Sequence, residues 1–381
     1  MTKQSEAANL FPVGLPKSWM AGFVHHHTAF GYPVQHCVSP NELRKEVAEL
    51  GGDFVFCAGD HGLEIDGKVC PYWYEGKDYY DLVLAANEEE GVFLIPTGEY
   101  HLWFPELAPR DQNEPFWEAK RKWPSYQPFH HTLIPMIEWT DAVCRYVRES
   151  TSSAFVDKAM DLGIATTLNH PGLCYLSGHP DPLSASWLKK MSYLEIFDTM
   201  DHFDYDWALY KCYLSRPDSC RMGIYAGVDF CSHKGFDLST PGNERAEHIT
   251  YIQSPQGRSL ENLYDAWCQR RTVAVRGRLF LEHIDPAPRK QAYATKGLPE
   301  ISFVVRSFGE KKIRKIEILK NGLSVYCEYL SEQEVVERNW CDKTFEGLGA
   351  RYTLVVEGEG DWLITSPIGF KSDSPCPGFT R

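Results

Sequence analysis

Met20-Ala21-Gly22-Phe23-Val24-His25-His26-His27-Thr28 is an apolar run that ends in a histidine cluster. If Met20 to Val24 is a β-strand, His25 and His27 leave one face of it and His26 leaves the other. Two imidazoles on one face can chelate one cation. The pattern of an apolar strand followed by an acid or histidine then recurs. Asp53–Ala58 runs into Asp60-His61, Val92–Ile95 leads to Glu99, Ile164–Leu168 to Asn169-His170-Pro171, and Ile224–Val228 to Asp229.

Helical segments separate these strands. Ser39 can cap, Pro40 suits the first helical position, and Glu42 completes a capping box. Leu43, Val47 and Leu50 share one helical face, and Gly51-Gly52 stops the helix. Further helices are predicted over Asp81 to Glu90, Ala154 to Leu162 and Trp207 to Leu214, with another strand over Tyr193 to Phe197. Strands alternating with helices imply a parallel sheet with right-handed crossovers. Metal-type residues stand at the C-terminal end of nearly every strand, where parallel α/β folds place their chemistry. A barrel is favoured, because one open sheet does not easily bring so many strand ends to one point.

The character changes near residue 285. Ile301, Phe303 and Val305 alternate with polar neighbours, as do Ile316 and Ile318, then Tyr352, Leu354 and Val356. Asn321-Gly322 is a strong hairpin turn. The reading is an N-terminal extension over 1–19, an α/β barrel over 20–285, and a small antiparallel β-sandwich-like domain over 290–381. Asp285-Pro286-Ala287-Pro288 is the linker. An insertion at about 66–139 is dense in aromatics, among them Trp73, Trp103, Trp117 and Trp123. Apart from the helix and strand at Asp81 to Ile95 it reads as long loops, either a lid over the strand ends or a buttress.

Composition bounds the partners. The 381 residues include 43% hydrophobic and 13% aromatic side chains, enough for a substantial core. A formal charge of −13 disfavours nucleic acid and anionic membrane surfaces. No run approaches the roughly 18 apolar residues of a membrane span. The expected partner is a small-molecule substrate, with the oligomeric state left open. Twelve scattered cysteines without a CxxC pair read as reduced core thiols. With a polar N-terminus unlike a signal peptide, they suggest a cytoplasmic location.

The strand-end residues His25, His27, Asp60, His61, Glu99, His170, Asp229 and His233 are imidazoles and carboxylates that suit Zn²⁺, Mn²⁺ or Fe²⁺. Such ions polarise a substrate oxygen and lower the pKa of water from about 15.7 towards 7. No G-x-S-x-G elbow, P-loop or dinucleotide fingerprint competes.

In this order the motifs resemble the PHP family, the polymerase and histidinol phosphatase superfamily of metal-dependent hydrolases. They are His25-His26-His27-Thr28, Ala58-Gly59-Asp60-His61, Pro96-Thr97-Gly98-Glu99 and Asn169-His170-Pro171-Gly172, followed by Asp229 with a nearby histidine. Arg276-Gly277-Arg278, Ile318-Leu319-Lys320-Asn321-Gly322 and Ile364-Thr365-Ser366-Pro367-Ile368 are similar to the carbaryl-hydrolase-like branch. The resemblance implies a distorted (β/α)7 barrel with two or three metals and a C-terminal β domain. It implies that Glu99 bridges two ions and that one ion is held by His25, His27, Glu99 and Asp229. His61 and a histidine after Glu99 complete the second; His101, His130 and His131 all qualify, and His131 matches best. His170 and His233 ligate or orient substrate, and Asp60 serves as general acid/base.

Two positions depart from the pattern. Tyr32 stands where the family places an acid that helps hold a third metal, so one or two ions are expected. The closing D-x-H is replaced by Asp229 with Cys231 at i+2 and His233 at i+4; His233 is preferred. The expected activity is hydrolysis of an ester, amide or carbamate by metal-activated water. Phosphoester hydrolysis is the close alternative, and a non-catalytic metal-binding or sensory role the more distant one.

Overall fold

The computed structural model describes residues 10–28, 39–59, 64–65, 68–69, 76–88, 91–103, 129–140, 152–172, 190–197, 203–215, 222–230 and 247–373. The first half holds β1 (Trp19–His27), α1 (Pro40–Glu49), β2 (Phe54–Gly59), the short hairpin β3 (Glu64–Ile65) and β4 (Lys68–Val69), and α2 (Gly76–Ala85). It continues with β5 (Phe93–Trp103), β6 (Phe129–Pro135), α3 (Ser152–Asp161), β7 (Thr167–Leu168), β8 (Tyr193–Phe197), α4 (Phe203–Leu214) and β9 (Gly223–Phe230). Then come β10 (His248–Gln253), α5 (Leu260–Cys268), β11 (Thr272–Arg276), β12 (Leu279–Asp285), β13 (Tyr293–Thr295) and β14 (Glu300–Ser307). The chain closes on β15 (Ile313–Lys320), β16 (Leu323–Gln333), β17 (Val335–Cys341), β18 (Ala350–Glu357), β19 (Trp362–Thr365) and β20 (Ile368–Ser372). The fold is mixed α/β, rich in strands.

Local chemistry accounts for the early elements. The Ser39 hydroxyl accepts from the Glu42 N–H at 3.3 Å, and the Glu42 carboxylate accepts from the Ser39 N–H at 2.9 Å, closing the capping box of α1. Leu43 and Val47 face inward from that helix. β1 lies between two parallel neighbours, β2 and β9, along its C-terminal half. β2 pairs parallel with β5, while β7, β8 and β9 continue the parallel ladder on the other side.

β5 and β6 differ from the sequence reading. β5 runs on through Glu99 to Trp103, and β6 returns antiparallel to it, so this part of the insertion is a hairpin ladder rather than loop. Phe129–Pro135 carries two adjacent histidines and a terminal proline, so it lacks the alternation that announces a half-buried strand. The Leu133 N–H of β6 donates to the Thr167 hydroxyl of β7 at 2.8 Å, so the two ends of the strand path face each other. One hydrophobic cluster gathers Val24 (β1), Phe56 (β2), Ile95 (β5), Leu133 (β6), Tyr193 (β8) and Tyr225 (β9) around Trp267 of α5. The Trp267 ring stacks on Tyr193 at 3.9 Å, and the Tyr193 hydroxyl donates to the Trp267 carbonyl at 2.5 Å.

Most C-terminal strands form antiparallel ladders, but β13 pairs parallel with β20. Ile301, Phe303 and Val305 of β14 point inward in the predicted alternation, whereas β18 is buried on both faces, so Thr353 and Val355 are buried beside Tyr352, Leu354 and Val356. Asn321 and Gly322 take φ values of 50° and 80° and turn β15 into β16. The backbone ladder runs without a break from β1 through β10, β11 and β19 to β18. A single apolar cluster accordingly contains Phe23 and Val55 together with Phe303 and Tyr352.

Of the described cysteines, Cys57 is a buried free thiol, but Cys212 and Cys327 are free and exposed, which corrects the expectation of core thiols at those two positions. Among the described residues no helix is long and apolar enough to cross a membrane.

Candidate metal centre

Five strands deliver the site. His25 and His27 end β1, Glu99 lies within β5, His170 follows β7, Glu195 sits in β8, and Asp229 lies near the end of β9. Strict alternation is not what presents the two histidines of β1. His25 has φ 64° and sits where the pairing of β1 with β2 shifts register between Phe23 and His26. The bulge re-aims the His25 ring, as bulges beside functional sites do. The rings of His25 and His27 lie 5.2 Å apart, and His170 stacks on His25 at 5.5 Å. His26 turns aside and bonds the His27 carbonyl through Nδ1 at 2.8 Å. Burial holds its pKa down at about 3, so it stays neutral.

The donor atoms converge. His25 Nε2 lies 3.2 Å from Glu99 Oε1 and 3.5 Å from Asp229 Oδ1. His27 Nε2 lies 3.4 Å from Glu99 Oε2 and 3.1 Å from Asp229 Oδ1. His170 Nε2 reaches Glu99 Oε1 at 3.3 Å. One ligand atom from each of His25, His27, Glu99 and Asp229 falls within 4.8 Å of the others. Two ligands about 2.1 Å from a tetrahedral ion stand roughly 3.4 Å apart, which matches these nitrogen–oxygen separations. Two imidazoles and two carboxylates suit zinc, manganese or ferrous iron. The buried His25, His27 and Glu99, with half-buried Asp229, can hold a metal ion.

Without a cation, protons must hold the cluster together. Burial lowers the pKa of His25, but the Glu99, Glu195 and Asp229 carboxylates outweigh it and push the ring up to about 9. His27 is likewise driven well above its ordinary value: burial opposes charge, but bonds to Asp229 and Glu99 prevail. Burial alone would raise Asp229, yet the neighbouring imidazoles hold it below the usual carboxylate range. Positive charge, whether proton or metal, is what the pocket selects.

A buried polar scaffold supports Glu99. Asn169 Nδ2 donates to Glu99 Oε1 at 3.0 Å. The Asn169 carbonyl accepts from the Tyr225 hydroxyl at 2.9 Å and from the Thr167 hydroxyl, which fixes the amide with its NH₂ toward Glu99. Glu195 and Tyr225 are site residues that sequence reasoning missed. The available signal was a lone acid in the otherwise apolar Tyr193-Leu194-Glu195-Ile196-Phe197.

The remaining sequence candidates divide in two. Asp60, His61, Cys231 and His233 lie outside the described residues, as does Tyr32. His131 stands on β6 directly opposite His101, two rungs along the ladder from Glu99; nothing is described of its side chain.

No protein-family model matches this chain, and no curated protein does. Among solved structures it is similar to a provisionally named metal-dependent phosphoesterase from Bifidobacterium adolescentis, at 12% identity and a TM-score of 0.31, over 55% of this chain and 87% of that one. It is also similar to an engineered protein at 10% identity and a TM-score of 0.18, over 88% of this chain and 80% of that one. Likenesses this faint carry no weight for fold or activity, so the metal reading stands on the geometry of the site.

Proposed function

We propose that this chain is a metal-dependent hydrolase that cleaves an ester, amide or carbamate bond in a small, partly apolar organic substrate. The observation that carries the proposal is the convergence of His25, His27, Glu99 and Asp229, with ligand atoms within 4.8 Å of one another at buried strand ends. A divalent ion bound there supplies Lewis acidity, polarising a substrate oxygen and bringing the pKa of water down towards about 7. The strand path from β7 to β6 is taken as a distorted seven-stranded barrel of the PHP type.

In this reading Glu99 would serve two ions, one of them held with His25, His27 and Asp229, and its Oε1 also lies 3.3 Å from His170 Nε2. His61, His131, His170 and His233 are assigned to the second ion and to substrate orientation, and Asp60 to proton transfer. The aromatic-rich segment at 66–139 favours an apolar substrate portion.

The test uses protein purified without a histidine tag. Elemental analysis should find one or two divalent ions per chain. Chelator should abolish turnover, and Mn²⁺ or Zn²⁺ should restore it. His27→Ala should lose both an ion and turnover while its circular dichroism is unchanged. A folded, metal-loaded protein that turns over no aryl ester, amide, carbamate or phosphoester would falsify the enzyme reading. Selective turnover of phosphoesters would overturn the choice of bond.

A further inference from the structure

Glu195 is fully buried and spans two strand ends. Its Oε1 lies 3.2 Å from His25 Nδ1, and its Oε2 accepts the His170 backbone N–H at 2.6 Å. Space for it is made by the neighbouring strand. A Cβ at Gly227 would fall 1.4 Å from Glu195 Oε1, so only glycine at that position lets the carboxylate reach its place. Among the described non-glycine residues with positive φ, three belong to the site: His25 (64°), His170 (26°) and Asp229 (39°). Such conformations persist only where surroundings over-determine them. Glu195 touches two of the three directly and packs against the residue two before the third.

We propose that Glu195 is the positioning residue of the metal centre, holding His25 in the tautomer that turns a bare Nε2 toward Glu99 and Asp229. An ionised carboxylate only accepts hydrogen bonds, so Nδ1 carries the proton and Nε2 is left as the ligand nitrogen. This is the carboxylate–histidine–metal relay that fixes ring orientation and raises ligand basicity. His25, His170 and Glu195 also bring donor atoms within 4.8 Å, so Glu195 is itself a conceivable ligand. Its Oε2, however, accepts the His170 N–H, its Oε1 faces His25 Nδ1, and the Nε2 of His25 is already aimed at the other carboxylates.

The inference rests on the metal-centre reading, and the glutamine variant separates the two. A glutamine side chain has one acceptor oxygen and one NH₂ where Glu195 has two acceptors. Glu195→Gln must therefore oppose either the Nδ1–H of His25 or the N–H of His170. Zn²⁺ titrated calorimetrically into chelator-stripped protein should show unchanged stoichiometry and affinity weakened 10- to 100-fold. Gly227→Ala, which displaces the same carboxylate, should weaken binding in the same sense. A loss of exactly one ion in Glu195→Gln makes Glu195 a ligand and overturns the proposal. Equal Zn²⁺ affinity in wild type and Glu195→Gln also overturns it, whatever happens to thermal stability. Should both variants fail to fold, ¹⁵N-histidine spectra of zinc-loaded wild type decide. They should show His25 protonated at Nδ1 and metal-bound at Nε2, and the opposite assignment sinks the idea. A wild type that takes up no divalent ion removes the metal-centre reading and this inference together.

Discussion

Asn169 shows how a neutral side chain can decide the behaviour of a charged one. Its amide is oriented by Tyr225 and Thr167 on one side and donates to Glu99 on the other. Asn169→Ala should leave the ligand set complete yet weaken Zn²⁺ binding about tenfold, the usual cost of losing an orienting partner. Calorimetry on metal-free protein reads this directly, and undiminished affinity would mean that Glu99 needs no such support. His25 and His27 stood out as ligand candidates from their place at the end of an apolar run, although a bulge rather than strict alternation turns the His25 ring. Glu195 was not, because its partner His25 is 170 positions away and a lone acid in a strand announces no role. Asn169 likewise meets Glu99 only across 70 residues of chain.

At the scale of elements, hairpins and caps follow local rules, and their failures should be local too. Gly322 has φ 80° in the turn between β15 and β16, and a Cβ there would lie 2.3 Å from the Lys211 carbonyl oxygen of α4. Gly322→Ala combines backbone strain with that clash and should cost more than about 1 kcal/mol in urea denaturation. A change below about 0.5 kcal/mol would show that the turn and α4 adjust freely.

Asp342, just after β17, is buried and collects several donors. The Tyr352 hydroxyl donates at 2.5 Å, the Thr344 hydroxyl at 2.6 Å, the Thr344 N–H at 2.8 Å and the Lys320 ammonium at 2.8 Å. Burial raises its pKa, but Lys320 and these bonds prevail and bring it down from 3.8 to about 2. A carboxylate with a depressed folded-state pKa stabilises above its unfolded value and loses that contribution as pH falls through the folded one. Stability should therefore drop between about pH 4 and 2 more steeply in wild type than in Asp342→Asn, measured by denaturant melts across that range. Parallel curves would refute the assignment.

Over the whole molecule, the continuous ladder from β1 to β18 couples the strands of the candidate metal centre to the C-terminal ones. Val273 pairs with Thr365 and Val275 with Leu363, and Tyr251, Leu279 and Leu281 are buried in the cluster that also contains Phe303 and Tyr352. A chain ending at residue 289 would strip β11 of its neighbour and bare this apolar surface. Its thermal melt should lose cooperativity, whereas a sharp melt would establish residues 10–289 as an independent unit.

Helix starts, turns and the apolar runs of most strands were readable because each depends on residues a few positions apart: Ser39 with Glu42, Asn321 with Gly322, Val24 with His25 and His27. The strand Phe129–Pro135 escaped, since its pairing with β5 rather than its own periodicity makes it a strand. Which donors meet, and how His25 is turned, depended on ladder register, a bulge and the burial of Glu195. Those are properties of distant segments brought together in a low-dielectric interior, where an unpartnered charge is costly and a placed one orients its neighbours. Chain-local patterns could nominate ligands for this protein, and only long-range packing could aim them.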